Sequence, residues 1–326
     1  MGRASSGLDA GIAAGLDAGL DASLDSNLDS NLDSNLGGRA GLRRDVEKFS
    51  IHDFAPRPYG APQAEAVPAL PPLSIIIPVY NERHTLAQVL AAVGRALPGV
   101  HKNIVVIDDC STDGTREWLQ SNFPLGPRTG SEISVDGAGR LDVSASYTAA
   151  RTSITPLYHD RNRGKGAALR TGFAAARGDV VVIQDADLEY DPQDWAAMYD
   201  LIAVRKVADV VYGSRFHGRA HRSLYFHHYL ANRLISLLFN ILYNQTLSDI
   251  ETCYKMMTAE VARSLRLSAD DFGVEVEISA NIARRRKLRI YELGITYYGR
   301  SYDEGKKINW KDGVKALWYL LKFRFA

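Results

Sequence analysis

The stretch "DVVVIQDADLEY" at residues 179–190 is apolar over residues 180–183 and then turns acidic. Four consecutive β-branched residues predict a short buried strand. Asp185, Asp187 and Glu189 follow at every second position. Carboxylates this close repel one another unless a positive charge lies between them. The stretch therefore predicts a strand of a central sheet that ends in a cluster able to hold a cation.

The same pattern recurs along the chain. Apolar, β-branched runs that end in polar residues occur in "LSIIIPVYNE" (73–82), "NIVVIDDCSTDGT" (103–115), "ITPLYHDRNRGKGAALRTGFAAA" (154–176) and "ADVVYGSRF" (208–216). Helical patterns lie between them. Strands that alternate with helices predict an α/β fold with a mostly parallel sheet and helices on both faces.

Ligands of such sheets bind beyond the carboxyl ends of the strands. Four predicted strands end in polar residues: Asn81, Glu82, Asp108, Asp109, Asp185, Asp187, Ser214 and Arg215. These ends predict one polar crevice.

Three explanations compete for the carboxylates at 185–189: helix caps, solvated surface charge, or ligands of a divalent cation. Caps explain one acid but not three alternating acids. Oxygen donors without neighbouring His or Cys favour Mg²⁺ or Mn²⁺, which commonly share their coordination with substrate phosphates. A metal-bound diphosphate is a better leaving group, because the ion neutralises the charge that develops on it.

The turn "RNRGKG" at 161–166 offers Arg163, Lys165 and backbone N–H groups close to a helix N-terminus, an arrangement that suits anions. A plain strand-to-helix turn explains it equally well. The Walker pattern of P-loop kinases is absent from the sequence.

Seven motifs, in this order, carry a resemblance: "IIIPVYNE", "VVIDDCSTDGT", "NRGKGAALRTGF", "QDADLEYDP", "VYGSRF", "SDIETCYKMM" and "GRSYDEGKKINWKDG". Together they resemble the inverting family 2 glycosyltransferases of the GT-A (Rossmann-like) fold. Within that family they resemble the polyprenyl-phosphate branch, typified by dolichol-phosphate mannose synthase. The resemblance covers about residues 73–315. The Q-x-x-R-W motif of the processive polysaccharide synthases is absent.

The resemblance implies a nucleoside pocket lined by Pro78, Tyr80, Glu82 and Asp109. It also implies that Asp185 approaches the ribose and diphosphate and that Asp187 binds the metal. Glu189 stands where relatives often carry Gln as a second metal ligand. GDP-mannose is the favoured donor and UDP-glucose the second.

The acceptor side is predicted from charge. The sequence has no acidic residue between Asp209 and Asp249, and this stretch holds four arginines and four histidines: Arg215, Arg219, Arg222, Arg233, His217, His221, His227 and His228. The apolar helical pattern "YLANRLISLLFNILY" (229–243) ends the stretch. A basic patch beside an apolar helix suits a phosphate on a lipid tail. A core helix beside a solvated basic loop is the alternative.

By the resemblance, Arg215 and Arg300 grip the acceptor phosphate. A third family arginine has no counterpart at Leu230, and Arg233 is the candidate substitute. A phosphate monoester is already largely ionised at neutral pH, so it needs no strong general base. Direct displacement would invert the anomeric centre and give a β-linked lipid phosphosugar.

Four further acids could contact sugar hydroxyls or could serve as caps: Asp249, Glu251, Glu275 and Glu277.

Two other functions stay open. One is a family 2 transferase with a soluble, protein or other non-lipid cell-envelope acceptor, and the other is a non-enzymatic sensor of nucleotide sugars.

From Asn281 onward the chain has twelve Lys or Arg against four Asp or Glu, interleaved with aromatic residues. Basic and aromatic residues together favour a peripheral membrane surface, where each cation contributes on the order of 1 kcal/mol. Nucleic-acid binding is disfavoured, because no nucleic-acid motif accompanies the charge.

Composition sets the remaining expectations. The repeats of residues 1–45 predict a disordered tail, the six prolines of 46–72 a linker, and residues 73–326 one catalytic domain with a surface excursion at about 124–152. Two cysteines fit a reducing compartment, and no apolar run reaches the ~18 residues of a membrane span. We therefore expect a cytoplasmic protein, peripheral on the inner face of the cytoplasmic membrane.

Overall fold

The computed structural model describes residues 69–123, 128–130, 132–135, 141–144, 151–218, 220–222, 225–301 and 310–325. The chain divides into two compact units, Met1–Glu65 and Ala66–Ala326, and every described residue belongs to the second. Several predictions fall outside the described residues: the tail at 1–45, residues 46–68 of the linker, Arg219 and residues 302–309.

The described part of the chain contains ten strands and eight α-helices. The strands are β1 (Leu73–Val79), β2 (Lys102–Asp108), β3 (Arg128–Gly130), β4 (Glu132–Val135), β5 (Leu141–Ser144), β6 (Thr152–Tyr158), β7 (Val180–Ile183), β8 (Val210–Ser214), β9 (Lys255–Thr258) and β10 (Ile290–Gly294). The helices are α1 (Leu86–Arg95), α2 (Thr115–Asn122), α3 (Lys165–Ala175), α4 (Trp195–Tyr199), α5 (Phe226–Tyr243), α6 (Ala259–Ser264), α7 (Val274–Ala283) and α8 (Trp310–Phe325). A 3₁₀ turn precedes α4 and a π-helical turn follows it.

Eight strands form one sheet in the order β10-β8-β9-β7-β1-β2-β6-β3. Strand β1 pairs in parallel with both β2 and β7. Strand β2 also pairs in parallel with β6, and β8 with β10. Strand β9 runs antiparallel to both β7 and β8, so these two point the same way. The carboxyl ends of β1, β2, β6, β7, β8 and β10 therefore share one edge of the sheet. The predicted mostly parallel α/β sheet is confirmed.

Both faces of the sheet are covered at its centre. Residues Leu73–Ile77 of β1 are all buried. Because successive side chains of a strand point to opposite faces, a continuously buried strand requires packing on both sides. Helix α3 packs against β1 and β2. A Cβ atom at Gly172 of α3 would collide with the side chain of Ile76, so glycine permits this close approach.

The surface excursion predicted at about 124–152 contains three short strands that the sequence analysis did not assign. Strand β3 pairs with β6 at the edge of the main sheet, and β4 and β5 form a separate antiparallel pair. Ile133 of β4 is 3% exposed, and a Cβ atom at Gly94 of α1 would lie 2.8 Å from its Cβ. Burial of Ile133 against α1 thus holds β4 in place. This strand has only four residues, and the Gly and Ser residues around it hide its apolar pattern in the sequence.

Candidate active site

The loops that follow β1, β2 and β7 are hydrogen-bonded to one another at the carboxyl edge of the sheet. The hydroxyl of Thr85 donates to the carbonyl of Ala186 at 2.8 Å. The backbone N–H of Thr112 donates to Asn81 Oδ1 at 2.8 Å. These bonds hold the polar ends of β1, β2 and β7 next to one another.

The guanidinium group of Arg300 lies among three carboxylates. Its Nη2 is 2.6 Å from Asp187 Oδ2, and its Nε is 3.1 Å from Glu189 Oε1. Its Nη1 is 3.7 Å from Glu82 Oε1. The backbone N–H of Arg300 also donates to Glu189 Oε1, at 2.9 Å. Arg300, which was predicted to grip the acceptor phosphate, is paired in this structure with the two predicted metal ligands.

Negative charge remains crowded around Asp187. Burial, together with the neighbouring charges of Asp185 and Glu189, raises the pKa of Asp187 to about 7, although Arg300 opposes the rise. One guanidinium group therefore does not fully balance the cluster.

A second cation, Lys165, pairs with the predicted diphosphate residue Asp185. Its Nζ lies 2.7 Å from Asp185 Oδ1 and 3.0 Å from Glu275 Oε1. Lys255, which is fully buried, lies 2.5 Å from the other oxygen of Glu275. Although burial alone would lower it, Asp185 and Glu275 raise the pKa of Lys165 well above its ordinary value. The four side chains form a line of alternating charge that runs inward from the cleft.

The "RNRGKG" turn is held by Asp109. The Asp109 carboxylate accepts the backbone N–H groups of Arg163 at 2.9 Å and Gly164 at 2.7 Å. The N–H of Gly166 donates to the carbonyl of Asp270 at 2.7 Å. Gly164 has a φ of +88°, and a Cβ atom on it would collide with the same carbonyl. The N–H groups of Arg163, Gly164 and Gly166, which the sequence analysis named as candidates for anion binding, thus have partners within the protein. The two glycines allow the backbones to pack closely.

The other predicted nucleoside residues lie at the end of β1. Pro78 is partly buried within the strand, and Tyr80 directly after it is 39% exposed. Oε2 of the Glu82 carboxylate lies 3.0 Å from the hydroxyl oxygen of Thr85. An exposed aromatic ring beside a fixed carboxylate is compatible with a nucleoside.

Arg215 is fixed by Asp249, a fully buried aspartate. Nε and Nη2 of Arg215 each lie 2.7 Å from one oxygen of the carboxylate. The backbone N–H of Arg215 donates to Asp249 as well, at 3.1 Å. Within the described residues, the remaining Nη1 of Arg215 has no hydrogen-bond partner. The sequence analysis named Asp249 as a candidate for contact with sugar hydroxyl groups. In the structure, both of its carboxylate oxygens bind Arg215.

Arg233 and Arg215 both contact the ring of Phe216. The guanidinium groups of the two arginines are 5.9 Å and 5.7 Å from the ring of Phe216. Arg233 Nη1 also donates to the carbonyl of Ser248 at 3.2 Å. Two of the three predicted acceptor arginines are therefore brought together on one aromatic ring.

Tyr297 joins this basic side to the carboxylates, and the sequence analysis missed it. Its hydroxyl donates to Glu189 Oε2 at 2.7 Å, and its ring lies 5.3 Å from the guanidinium group of Arg215. Asp187, Arg215 and Arg300 therefore lie within one connected group of side chains. The only sequence signal for this residue was its place in the aromatic run just before Arg300.

A family model described as "Glycosyl transferase family 2" matches residues 74–129 and 136–266, which is more than half of the chain. The chain belongs to glycosyl transferase family 2.

Curated relatives of this family 2 transferase place it more closely. The undecaprenyl-phosphate mannosyltransferase of Micrococcus luteus is 28% identical over 71% of this chain and 85% of its own length. The polyprenol monophosphomannose synthase of Mycolicibacterium smegmatis is 29% identical over 71% of this chain and 79% of its own length. The match to the dolichol-phosphate mannosyltransferase of Pyrococcus furiosus is 30% identical but spans only 33% of that protein. The names of these relatives support the predicted polyprenyl-phosphate branch.

Solved structures confirm the predicted GT-A fold of the family 2 transferase. Glucosyl-3-phosphoglycerate synthase from Mycobacterium tuberculosis, in complex with Mn²⁺, UDP and glucosyl-3-phosphoglycerate, superimposes with a TM-score of 0.54. The alignment covers 78% of this chain and 80% of that one at 18% identity.

The carboxylate cluster of the transferase fits a hard divalent cation. Asp187 and Glu189 present oxygen donors, and a bound cation would oppose the burial and the neighbouring negative charges that raise the pKa of Asp187. In the part of the chain that the structure describes, no group of three or more His, Cys, Asp or Glu side chains forms a metal site. A cation at Asp187 would therefore take most of its ligands from substrate phosphate and water, as Mg²⁺ commonly does.

Two helices of the transferase expose apolar side chains. Helices α5 and α8 pack against each other, and no helix among the described residues is long and apolar enough to cross a membrane. Their exposed apolar residues are Phe226, Leu230, Leu234, Leu237 and Ile241 on α5 and Val314, Trp318, Leu321 and Phe325 on α8. A spacing of three or four residues places each set along one side of its helix. We call the two sets together the apolar face.

Proposed function

We propose that this transferase moves a hexosyl group from a nucleotide sugar, with GDP-mannose favoured, to a polyprenyl phosphate with inversion at the anomeric carbon. The observation that carries the proposal is that Tyr297 contacts both Glu189 of the carboxylate cluster and the guanidinium group of Arg215. The names of the Micrococcus luteus and Mycolicibacterium smegmatis relatives support it, since both describe mannosyl transfer to a polyprenyl phosphate or polyprenol.

The donor would lie on the carboxylate side. Its nucleoside would contact Pro78, Tyr80, Glu82 and Asp109. Asp185, with Lys165 paired to it and Arg163 on the adjoining turn, would lie near the diphosphate. Asp187 and Glu189 would hold Mg²⁺ or Mn²⁺, and the bound ion would neutralise charge on the departing nucleoside diphosphate. The Mn²⁺ and UDP in the structure of the Mycobacterium tuberculosis synthase support this assignment.

The acceptor phosphate would lie on the arginine side. A phosphate monoester has its second pKa near ~6, so at neutral pH it is an anionic nucleophile that needs only positioning. Asp249 orients Arg215 and leaves its Nη1 available, and Arg233 adds a second positive charge over Phe216. Arg300 would join them after exchanging its carboxylate partners for the phosphate.

The bond changes follow from this placement. One acceptor phosphate oxygen attacks the anomeric carbon while the bond from that carbon to the diphosphate oxygen breaks, and the nucleoside diphosphate leaves with the bonding electron pair. Attack from the arginine side, with departure toward the carboxylate side, inverts the configuration. An α-linked donor then gives a β-linked lipid phosphosugar.

The apolar face would seat the protein on the membrane that holds its acceptor. Apolar side chains insert at the boundary between headgroups and acyl chains, and nearby cations add attraction to anionic lipid. The run from 210 to 248, which includes α5, has no acidic residue to oppose that attraction. We place the protein on the cytoplasmic face of the cytoplasmic membrane as a peripheral protein.

The proposal is tested with a panel of radiolabelled nucleotide sugars, a C55 polyprenyl phosphate and either Mg²⁺ or Mn²⁺. We expect label in the organic phase with GDP-mannose and its loss in Asp187→Asn, a variant that keeps the side-chain shape. A response to UDP-glucose alone would change the sugar but keep the acceptor. Label transferred only to a water-soluble acceptor would overturn the lipid assignment, and nucleotide-sugar binding without turnover would indicate a sensor.

A further inference from the structure

The transferred sugar must lie between the two sides of the cleft, and one glutamate lies between the same two sides. Glu251 lies in the chain between Asp249, which binds Arg215 on the arginine side, and Thr252, whose carbonyl accepts a hydrogen bond from Lys255 on the inward line of charge. Glu275 continues through Lys165 to Asp185 on the donor side.

The charged neighbours of Glu251 are already paired with one another. Arg215 is bound at two points to Asp249, and Lys255 is bound to Glu275. Among the described residues, the Glu251 carboxyl itself has no hydrogen bond or ion pair. Unlike the other acids of this cluster, it therefore keeps its full hydrogen-bonding capacity for a ligand.

Glu251 also reaches solvent where the residues around it do not. Every residue in the run 249–257 is buried except Glu251, which is partly exposed. A carboxyl group without a partner would ordinarily extend into bulk water, yet burial raises the pKa of Glu251 to about 7. A ligand that carries hydroxyl groups would relieve the cost of burying this carboxyl group without a partner.

We propose that Glu251 is a specificity residue for the donor sugar, whose carboxyl group hydrogen-bonds hydroxyl groups of the transferred hexose. This role rests on the proposed function, because it needs a nucleotide sugar in the cleft. A sugar is neutral and rich in hydroxyl groups, so a side chain that can accept and donate hydrogen bonds recognises it without opposing either phosphate.

The proposal is tested by comparing the affinity for GDP-mannose with that for GDP, and for UDP-glucose with that for UDP, by titration calorimetry. The proteins are the wild-type chain, Glu251→Gln, Glu251→Ala and the control Glu260→Ala. Glu260 is an exposed glutamate in the first turn of α6, which follows the end of β9 at the opposite edge of the sheet. We expect Glu251→Ala to lose about tenfold or more of the affinity for the preferred nucleotide sugar, while its affinity for the free nucleotide changes less than about twofold. Glu251→Gln, which can still form hydrogen bonds, should lose less, and the control should match the wild type.

Equal losses of nucleotide-sugar and free-nucleotide affinity in Glu251→Ala would overturn the proposal, since they would indicate a structural role. Unchanged affinity for both would overturn it too. A fall in kcat that is equal for every donor, with donor affinity unchanged, would instead mark a general base and also overturn it. Failure of the wild-type chain to bind any nucleotide sugar would overturn the proposed function itself, and that result is read from the wild-type titration alone.

Discussion

Arg300 is bound to Asp187 through a 2.6 Å contact between Nη2 and Oδ2. Arg300, which is predicted to bind the acceptor phosphate, is thus paired with Asp187, which is predicted to bind the metal. A divalent cation bound to Asp187 would compete with this guanidinium group for the same oxygen. Binding of a metal–nucleotide complex would release Arg300, so donor binding would prepare the acceptor side.

Replacing Arg300 by Gln should therefore strengthen metal binding in the absence of nucleotide. Removal of the competing positive charge from a partly buried carboxylate cluster should raise the Mn²⁺ affinity on the order of tenfold. Titration calorimetry or electron paramagnetic resonance of free Mn²⁺ measures the change. Arg205→Gln is the control, because Arg205 is bound to Asp200 in an exposed ion pair. Equal affinities in both variants and the wild type would contradict the competition.

The pair of Arg215 and Asp249 should contribute strongly to stability. Asp249→Ala leaves a guanidinium group mostly buried without its partner, which typically costs about 3 to 5 kcal/mol of unfolding free energy. Urea unfolding measures this loss. The matched control is Asp209→Ala, which breaks the surface pair with Arg289 and should change stability little. Similar losses in the two variants would show that the burial of Asp249 is unimportant.

Stability should depend on pH through Glu251. Burial raises its pKa from an ordinary 4.5 to about 7, so the folded protein holds the proton more tightly than the unfolded chain does. The resulting stabilisation is complete below pH 4.5 and is lost as the pH rises through 7. Glu251→Gln cannot ionise, so its unfolding free energy relative to wild type should rise across that window by up to about 3 kcal/mol. A difference that stays constant from pH 4 to pH 8 would exclude the shifted pKa.

Charges on the apolar face should prevent membrane binding. Leu237 and Ile241 of α5 are 54% and 69% exposed, so the double variant Leu237→Glu, Ile241→Glu should fold normally but no longer sediment with anionic vesicles. Transfer to a long-chain polyprenyl phosphate in vesicles should fall about tenfold or more, while transfer to a short, water-soluble analogue should persist. Val204→Glu changes an apolar residue of similar exposure, 55%, that does not belong to this face. Sedimentation of the double variant equal to that of this control would contradict the assignment.

Sequence patterns were sufficient for the central sheet but not for its short strands. Long buried runs such as Leu73–Val79 predict strands directly, because helices on both faces require continuous apolar character. Strand β9 has only four residues, and its antiparallel insertion between β7 and β8 depends on pairing with distant residues. Local periodicity carries no information on such pairing.

The candidate site also has features that the sequence predicts and features that it does not. Acids and arginines at strand ends could be predicted, because the topology brings those ends to one edge. The partners could not, because Arg215 meets Asp249, and Arg300 meets Glu189, across 34 and 111 residues of sequence. Tyr297 was missed for the same reason.

The apolar face has a consequence for the rate of the reaction. A transferase held at a bilayer by α5 and α8 would meet its acceptor by lateral diffusion in two dimensions, whereas its nucleotide sugar arrives from bulk solution. The acceptor term in its rate law would then be a surface density, so adding inert lipid at constant acceptor would slow the reaction by dilution within the plane.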